Sequence, residues 1–159
     1  MYTEGHAGQI RRAAQAMWEA KRPMVYAGSG IIHSGANDEL RQLVEMIDSP
    51  AVTTLMALGA LPANHPNYIS MPGMHGSYAA NMGMTETDLL IALGSRFDDR
   101  VTGRVAAFAP HAKVIHVDID PAEVGKIRTP DVPIVGDVKK VLQKILEELE
   151  ATAGEMKSK

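Results

Sequence analysis

Short apolar runs alternate with helical patterns along this chain, and every run ends in glycine or in a polar turn. Met24-Val25-Tyr26-Ala27 breaks into Gly28-Ser29-Gly30, and Ala51-Val52 ends in Thr53-Thr54. Leu89-Leu90-Ile91-Ala92-Leu93 meets Gly94-Ser95-Arg96, Val114-Ile115-His116-Val117 meets Asp118-Ile119-Asp120-Pro121, and Val132-Pro133-Ile134-Val135 meets Gly136-Asp137. Nearly continuous apolar strands are buried on both faces, and strands interleaved with helices imply a parallel sheet. The expected fold is therefore α/β: a single three-layer, Rossmann-like domain. Its mostly parallel sheet should have about five to six strands, with helices on both faces. In such a sheet all the strand ends share one edge, where ligands of open α/β folds lie.

The helical patterns fix the order of elements. Ile10, Ala13, Ala14, Met17 and Trp18 recur at helical spacing until Lys21-Arg22-Pro23, and Leu40, Leu43, Val44 and Ile47 form a second stripe. Val138, Val141, Leu142, Ile145, Leu146 and Leu149 make a third, with lysines and glutamates on the other face. A helix is also expected over residues 76–84, and Pro121 suits the first turn of a short one. Residues 55–70, with Gly59, Pro62, Pro66 and Asn67, read as a long irregular connection. The expected division is a flexible start over 1–8, the domain itself over 9–150 and a frayed tail over 151–159.

Composition removes several functions. A net charge of −3 without a Lys/Arg block argues against a nucleic-acid surface, and zero cysteines exclude a disulfide framework and a thiolate zinc site. No stretch approaches the ~20 apolar residues of a membrane span, and Arg11-Arg12 and Glu19 stand where a leader would need an apolar core. A cytoplasmic, unprocessed protein is expected. The six histidines show no helical ligand pair, and neither a P-loop lysine nor a nucleophilic serine motif occurs.

Four segments carry candidate binding chemistry. Gly28-Ser29-Gly30 suits a phosphate-binding turn, because glycines let the backbone approach a pyrophosphate and a following helix offers N–H groups. The fingerprint is incomplete, since His33 stands where the third glycine belongs, so a plain tight turn fits equally well. Gly94-Ser95-Arg96-Phe97-Asp98-Asp99-Arg100-Val101-Thr102-Gly103 sets two arginines and two carboxylates just beyond a strand. These are either ligands for phosphate or carboxylate groups, or a surface ion-pair cluster. Gly73-Met74-His75-Gly76 is either a close backbone approach to a flat ligand or an ordinary helix start. Asp118 is placed to accept from ribose hydroxyls, unless the aspartates near Pro121 serve as helix caps, a role more natural for Asp120.

Taken together, Gly-Ser-Arg-Phe-Asp-Asp-Arg-Val-Thr-Gly at 94–103, Pro-Gly-Met-His-Gly at 72–76, Ala-Gly-Ser-Gly at 27–30 and Val-Asp-Ile-Asp-Pro at 117–121 resemble the central domain of the acetohydroxyacid synthase (acetolactate synthase) catalytic subunit. The resemblance runs from about Ile10 to Leu149. It implies a piece of an enzyme that condenses pyruvate with a second 2-oxoacid in branched-chain amino-acid synthesis. Such enzymes use thiamine diphosphate and magnesium, and they also carry FAD, which has no net redox role. The same resemblance assigns much of the FAD site to this domain. Gly28, Ser29 and Gly30 would line the nucleotide, and Thr54, Leu55 and Met56 would flank the flavin. Gly73, Met74, His75, Gly76, Gly94, Ser95 and Arg96 would touch the cofactor, with Asp98, Arg100 and Val101 nearby. Asp118, Ile119, Gly136, Asp137 and Val138 would lie near the adenosine half.

In that family the activating glutamate belongs to the amino-terminal domain and the magnesium-diphosphate motif to the carboxy-terminal one. Gly136-Asp137 is followed by Val138 and does not match the metal motif. The resemblance thus implies no catalytic residue and no metal ligand in this chain, which alone should be inactive. Its implied partners are the remaining domains of the same enzyme, further copies of it and a regulatory subunit. Two other readings stand beside this one. The domain is a scaffold that binds no cofactor alone, or it is a free-standing NAD-dependent enzyme of the sirtuin or deoxyhypusine synthase type. The lack of cysteine counts against the sirtuin version.

Overall fold

A computed structural model describes residues 5–54, 57, 59–70, 86–94, 112–121 and 130–157. Helix α1 (Ala7–Glu19) leads into strand β1 (Pro23–Ala27), followed by helices α2 (Ser29–Ser34) and α3 (Asn37–Met46) and strands β2 (Ala51–Thr53) and β3 (Tyr68–Ser70). Strands β4 (Leu89–Leu93), β5 (Lys113–Asp118) and β6 (Val132–Val135) and helix α4 (Val138–Lys157) complete the chain. The strands form one sheet of six in the order β3-β2-β1-β4-β5-β6, and every pairing is parallel. The order reverses direction between β1 and β4, so the crevice beyond those two strands is the topological switch point.

The apolar runs become strands because both sides of each strand are buried. All five residues of β4 are buried, as are four of the five in β1. On one face Val25, Ala27, Leu89, Ile91, Leu93, Ile115, Val117 and Ile134 pack against the buried stripes of α1, α3 and α4 and against Ile31 of α2. On the other, Met24, Tyr26, Val52, Leu90, Ala92 and Val114 form a second buried cluster, so that face is covered as well. The sheet is the middle layer of a three-layer α/β domain.

Several expectations need correction. The connection after β2 is not irregular to its end, since Tyr68–Ser70 adds a sixth strand at the sheet edge. Gly30 lies inside a helix and not in an open turn: α2 starts at Ser29 with Gly28 as its N-cap and stops at Gly35, whose φ of 68° ends it in the left-handed conformation. The tail expected to fray begins as helix, because α4 continues to Lys157. Thr152 holds it in place by accepting from the Trp18 indole at 3.1 Å and donating to the Glu148 carbonyl at 2.7 Å. Of the expected flexible start, residues 1–4 lie outside the described residues; Gly5, at φ +82°, sits where a Cβ would come within 2.8 Å of Ile134 Cγ2 and 3.2 Å of Val141 Cγ2, and His6 caps α1. The helices expected over 76–84 and after Pro121 lie outside the described residues.

At the start of the strands, carboxylates close the backbone. Asp88 accepts the N–H groups of Lys21 and Arg22 at 2.8 and 2.9 Å, and Asp131 accepts that of Val114 at 2.7 Å. These bonds satisfy N–H groups that lie beyond the regular ladder at that edge.

Candidate functional site

At the opposite edge the glycines create a contact that no other residue permits. A Cβ on Gly30 would fall 2.7 Å from the Gly94 Cα and 3.1 Å from its carbonyl oxygen, so α2 and the end of β4 touch backbone to backbone. Gly94 adopts φ +62°, a conformation open chiefly to glycine. The Gly30 N–H donates to the Gly94 carbonyl at 3.0 Å, the Gly28 N–H to Leu93 at 2.9 Å and the Gly94 N–H to Val117 at 2.8 Å.

This arrangement changes the expected phosphate turn. The Ile31 N–H donates to the Gly28 carbonyl at 3.1 Å, so the N–H groups of both Gly30 and Ile31 have protein partners. The glycines bring α2 against β4, and the start of α2 presents fewer free donors than a dinucleotide turn would.

Beyond this contact opens a cleft of about 300 Å³, lined by Ser29, Gly30, His33, Ser34, Gly94, Asp118, Ile119, Asp137 and Val138. Its size is at the lower end for a small-molecule pocket. Volume alone does not single it out, because a groove of about 380 Å³ runs between α3 and α4. Its place at the switch point does.

The two carboxylates in the cleft also serve the backbone. Asp137 is the N-cap of α4, where its Oδ2 accepts from the Lys140 N–H at 3.1 Å. Asp118 is buried, its Oδ1 accepts from the Asp120 N–H at 2.9 Å, and its carbonyl accepts from Gly136 at 2.9 Å. Both side chains are thereby held at fixed angles to the cleft, offering acceptor oxygens to ligand hydroxyls. Ile119 stands at the rim with 59% of its surface exposed.

Of the residues singled out from sequence, Ser29, Gly30, Gly94, Asp118, Ile119, Asp137 and Val138 come together here. Gly28 and Gly136 are not among the lining residues but are bonded to the strand ends at Leu93 and Asp118, and Thr54, at the end of β2, donates its N–H to Ala27 at 3.0 Å. Leu55, Met56, Gly73, Met74, His75, Gly76, Ser95, Arg96, Asp98, Arg100 and Val101 lie outside the described residues. His33 and Ser34 line the cleft although neither was expected to. The signal for His33 was its place in the glycine fingerprint, where it read only as a departure.

Residues 10–145 match the family model described as thiamine pyrophosphate enzyme, central domain. The chain belongs to that family. The central-domain chain is 54% identical over 145 residues to the acetolactate synthase of Mycobacterium avium, covering 91% of this chain and 23% of that protein. It is 53% identical over 150 residues to the acetolactate synthase large subunit of Corynebacterium glutamicum, with 94% and 24% covered. Against the probable acetolactate synthase large subunit of Methanocaldococcus jannaschii, identity is 53% over 147 residues, with 92% and 25% covered. This central domain therefore spans about a quarter of the length of the curated relatives it matches. Among the described residues, no helix is long and apolar enough to cross a membrane.

Proposed function

We propose that this chain is the central domain of an acetolactate synthase large subunit and that it supplies the protein side of an FAD site. The observation that carries the first part is identity above 50% to acetolactate synthases from bacteria and an archaeon, over more than nine-tenths of this chain. The second part rests on the cleft at the switch point, with the resemblance naming FAD as its occupant.

The described wall fits one half of a dinucleotide. Fixed carboxylates at Asp118 and Asp137 suit ribose hydroxyls, exposed Ile119 suits the face of a base, and about 300 Å³ leaves the rest of a dinucleotide to lie outside. FAD bound here would contribute an isoalloxazine ring to the assembled enzyme. This chain's own part is to bind and orient it. Thiamine diphosphate and magnesium belong, in this reading, to the other domains of a cytoplasmic enzyme that forms homo-oligomers and takes a regulatory subunit. The chain alone then forms no acetolactate from pyruvate.

Calorimetric titration with FAD, FMN and NAD tests the reading. FAD binding that Arg96→Ala weakens is the expected result. Selective binding of NAD would replace it with the free-standing enzyme. A folded chain that binds none of the three would favour the scaffold, its cleft completed by walls supplied from elsewhere.

A further inference from the structure

The phosphates of a dinucleotide need donors, and in the glycine turn two of the expected N–H groups are already taken. Gly30 and Ile31 direct their N–H groups to Gly94 and Gly28, and α2 has only six residues, too short to gather a strong terminal dipole. Ser34 is occupied too, its Oγ donating to the Gly30 carbonyl at 2.7 Å. Asp137 offers the cleft a carboxylate, an acceptor that suits a hydroxyl and not a phosphate, which favours the α2 side for the phosphate. Among the described residues, two side chains on that side have donors to offer. Ser29 and His33 both line the cleft, and among the described residues neither side chain has a hydrogen-bond partner. Four residues apart on α2, they lie on one face of the helix.

We propose that His33, side by side with Ser29, is a phosphate-contacting residue of this cleft, taking over part of what backbone N–H groups do in a glycine-rich turn. The inference rests on the nucleotide reading above and extends it to a residue that the family resemblance did not assign. It also explains the broken fingerprint: with α2 already pressed against Gly94, a glycine at position 33 has no close approach to serve, and a side chain with a ring N–H does.

The test is a magnetic-resonance titration of the chain with ADP, adenosine and inorganic pyrophosphate, which reads weak binding directly. The ring signals of the six histidines are assigned through a His33→Gln variant. ADP and pyrophosphate are expected to move the His33 ring signals. Adenosine should move the Ile119 amide and leave that ring unmoved. His33→Ala should weaken ADP about tenfold or more, the loss of one hydrogen bond to a charged group, and leave adenosine unchanged. His33→Gln should recover part of that loss. If ADP moves the cleft amides with the His33 ring unmoved and His33→Ala binds as well, the inference falls and the nucleotide reading stands. If neither ADP nor adenosine moves any cleft signal, both fall together. Should His33→Ala fail to fold, the ring titration of the unaltered chain decides alone.

Discussion

Replacing Gly94 with alanine is expected to destabilise the domain by about 2–5 kcal/mol, and two further glycines separate the causes. The first is conformational: at φ +62° a side chain costs about 1–2 kcal/mol. The second is steric, since the new Cβ would fall 2.7 Å from the Gly30 Cα and 3.1 Å from its nitrogen, all backbone atoms that cannot swing aside. Forcing α2 and β4 apart resembles overpacking, at about 1–3 kcal/mol, and strains the 3.0 Å Gly30–Gly94 hydrogen bond. Gly35 has the first cause without the second: its φ is +68° and nothing lies within 4 Å, so Gly35→Ala should cost about 1–2 kcal/mol. Gly30 has the second without the first. As a helical position it regains about 1 kcal/mol of propensity on becoming alanine, leaving a net cost of about 0–2 kcal/mol. Urea unfolding of the four proteins, followed by circular dichroism and by the single tryptophan, gives the ranking. A Gly94→Ala protein no less stable than Gly35→Ala, together with a stabilised Gly30→Ala, would refute the backbone contact on which the cleft is built.

Asp88→Ala should cost about 1–2 kcal/mol by unmaking two hydrogen bonds to Lys21 and Arg22, and Asp88→Asn should cost less, since its remaining oxygen still accepts one; a shared midpoint in urea would contradict this. Ending the chain after Glu150 should redden and weaken Trp18 emission, because Thr152 no longer accepts from the indole; an unchanged spectrum would mean that the last turns of α4 do not hold it. Asp137→Ser should retain most of the stability, because serine also caps, whereas Asp137→Ala should lose about 1 kcal/mol. If both variants bind FAD equally weakly, the carboxylate reads the ligand as well as the helix; if Asp137→Ser binds normally, capping is its whole task.

The strands that could be read from sequence are those whose side chains are buried on both sides. Leu89–Leu93 and Val114–Val117 announce themselves because a central parallel strand has no polar face to interrupt the run. Tyr68–Ser70 is hidden for the opposite reason: three residues at the sheet edge, following Pro66-Asn67, give no periodicity to detect. Helix α2 is hidden because a glycine at its second position has the signature of a turn. Of the site, the strand-end positions of Ser29, Gly94, Asp118 and Asp137 follow from topology alone. The partners of the Gly30 and Ile31 N–H groups do not, since the Gly94 carbonyl that meets Gly30 comes from a distant part of the chain. Nor could sequence spacing show that a histidine in the third-glycine position lines the cleft.

The two edges of the sheet divide the labour of this domain. Where the strands begin, Asp88 and Asp131 fasten backbone to backbone; where they end, residues at the ends of β1, β4, β5 and β6 line the cleft. Under the proposed function, changes at one margin are felt mainly as stability and changes at the other mainly as ligand preference, with the Gly30–Gly94 junction as the exception that couples both. A lineage, or an engineer, can therefore exchange what this scaffold holds by rewriting the far margin while leaving the near one and its carboxylates untouched.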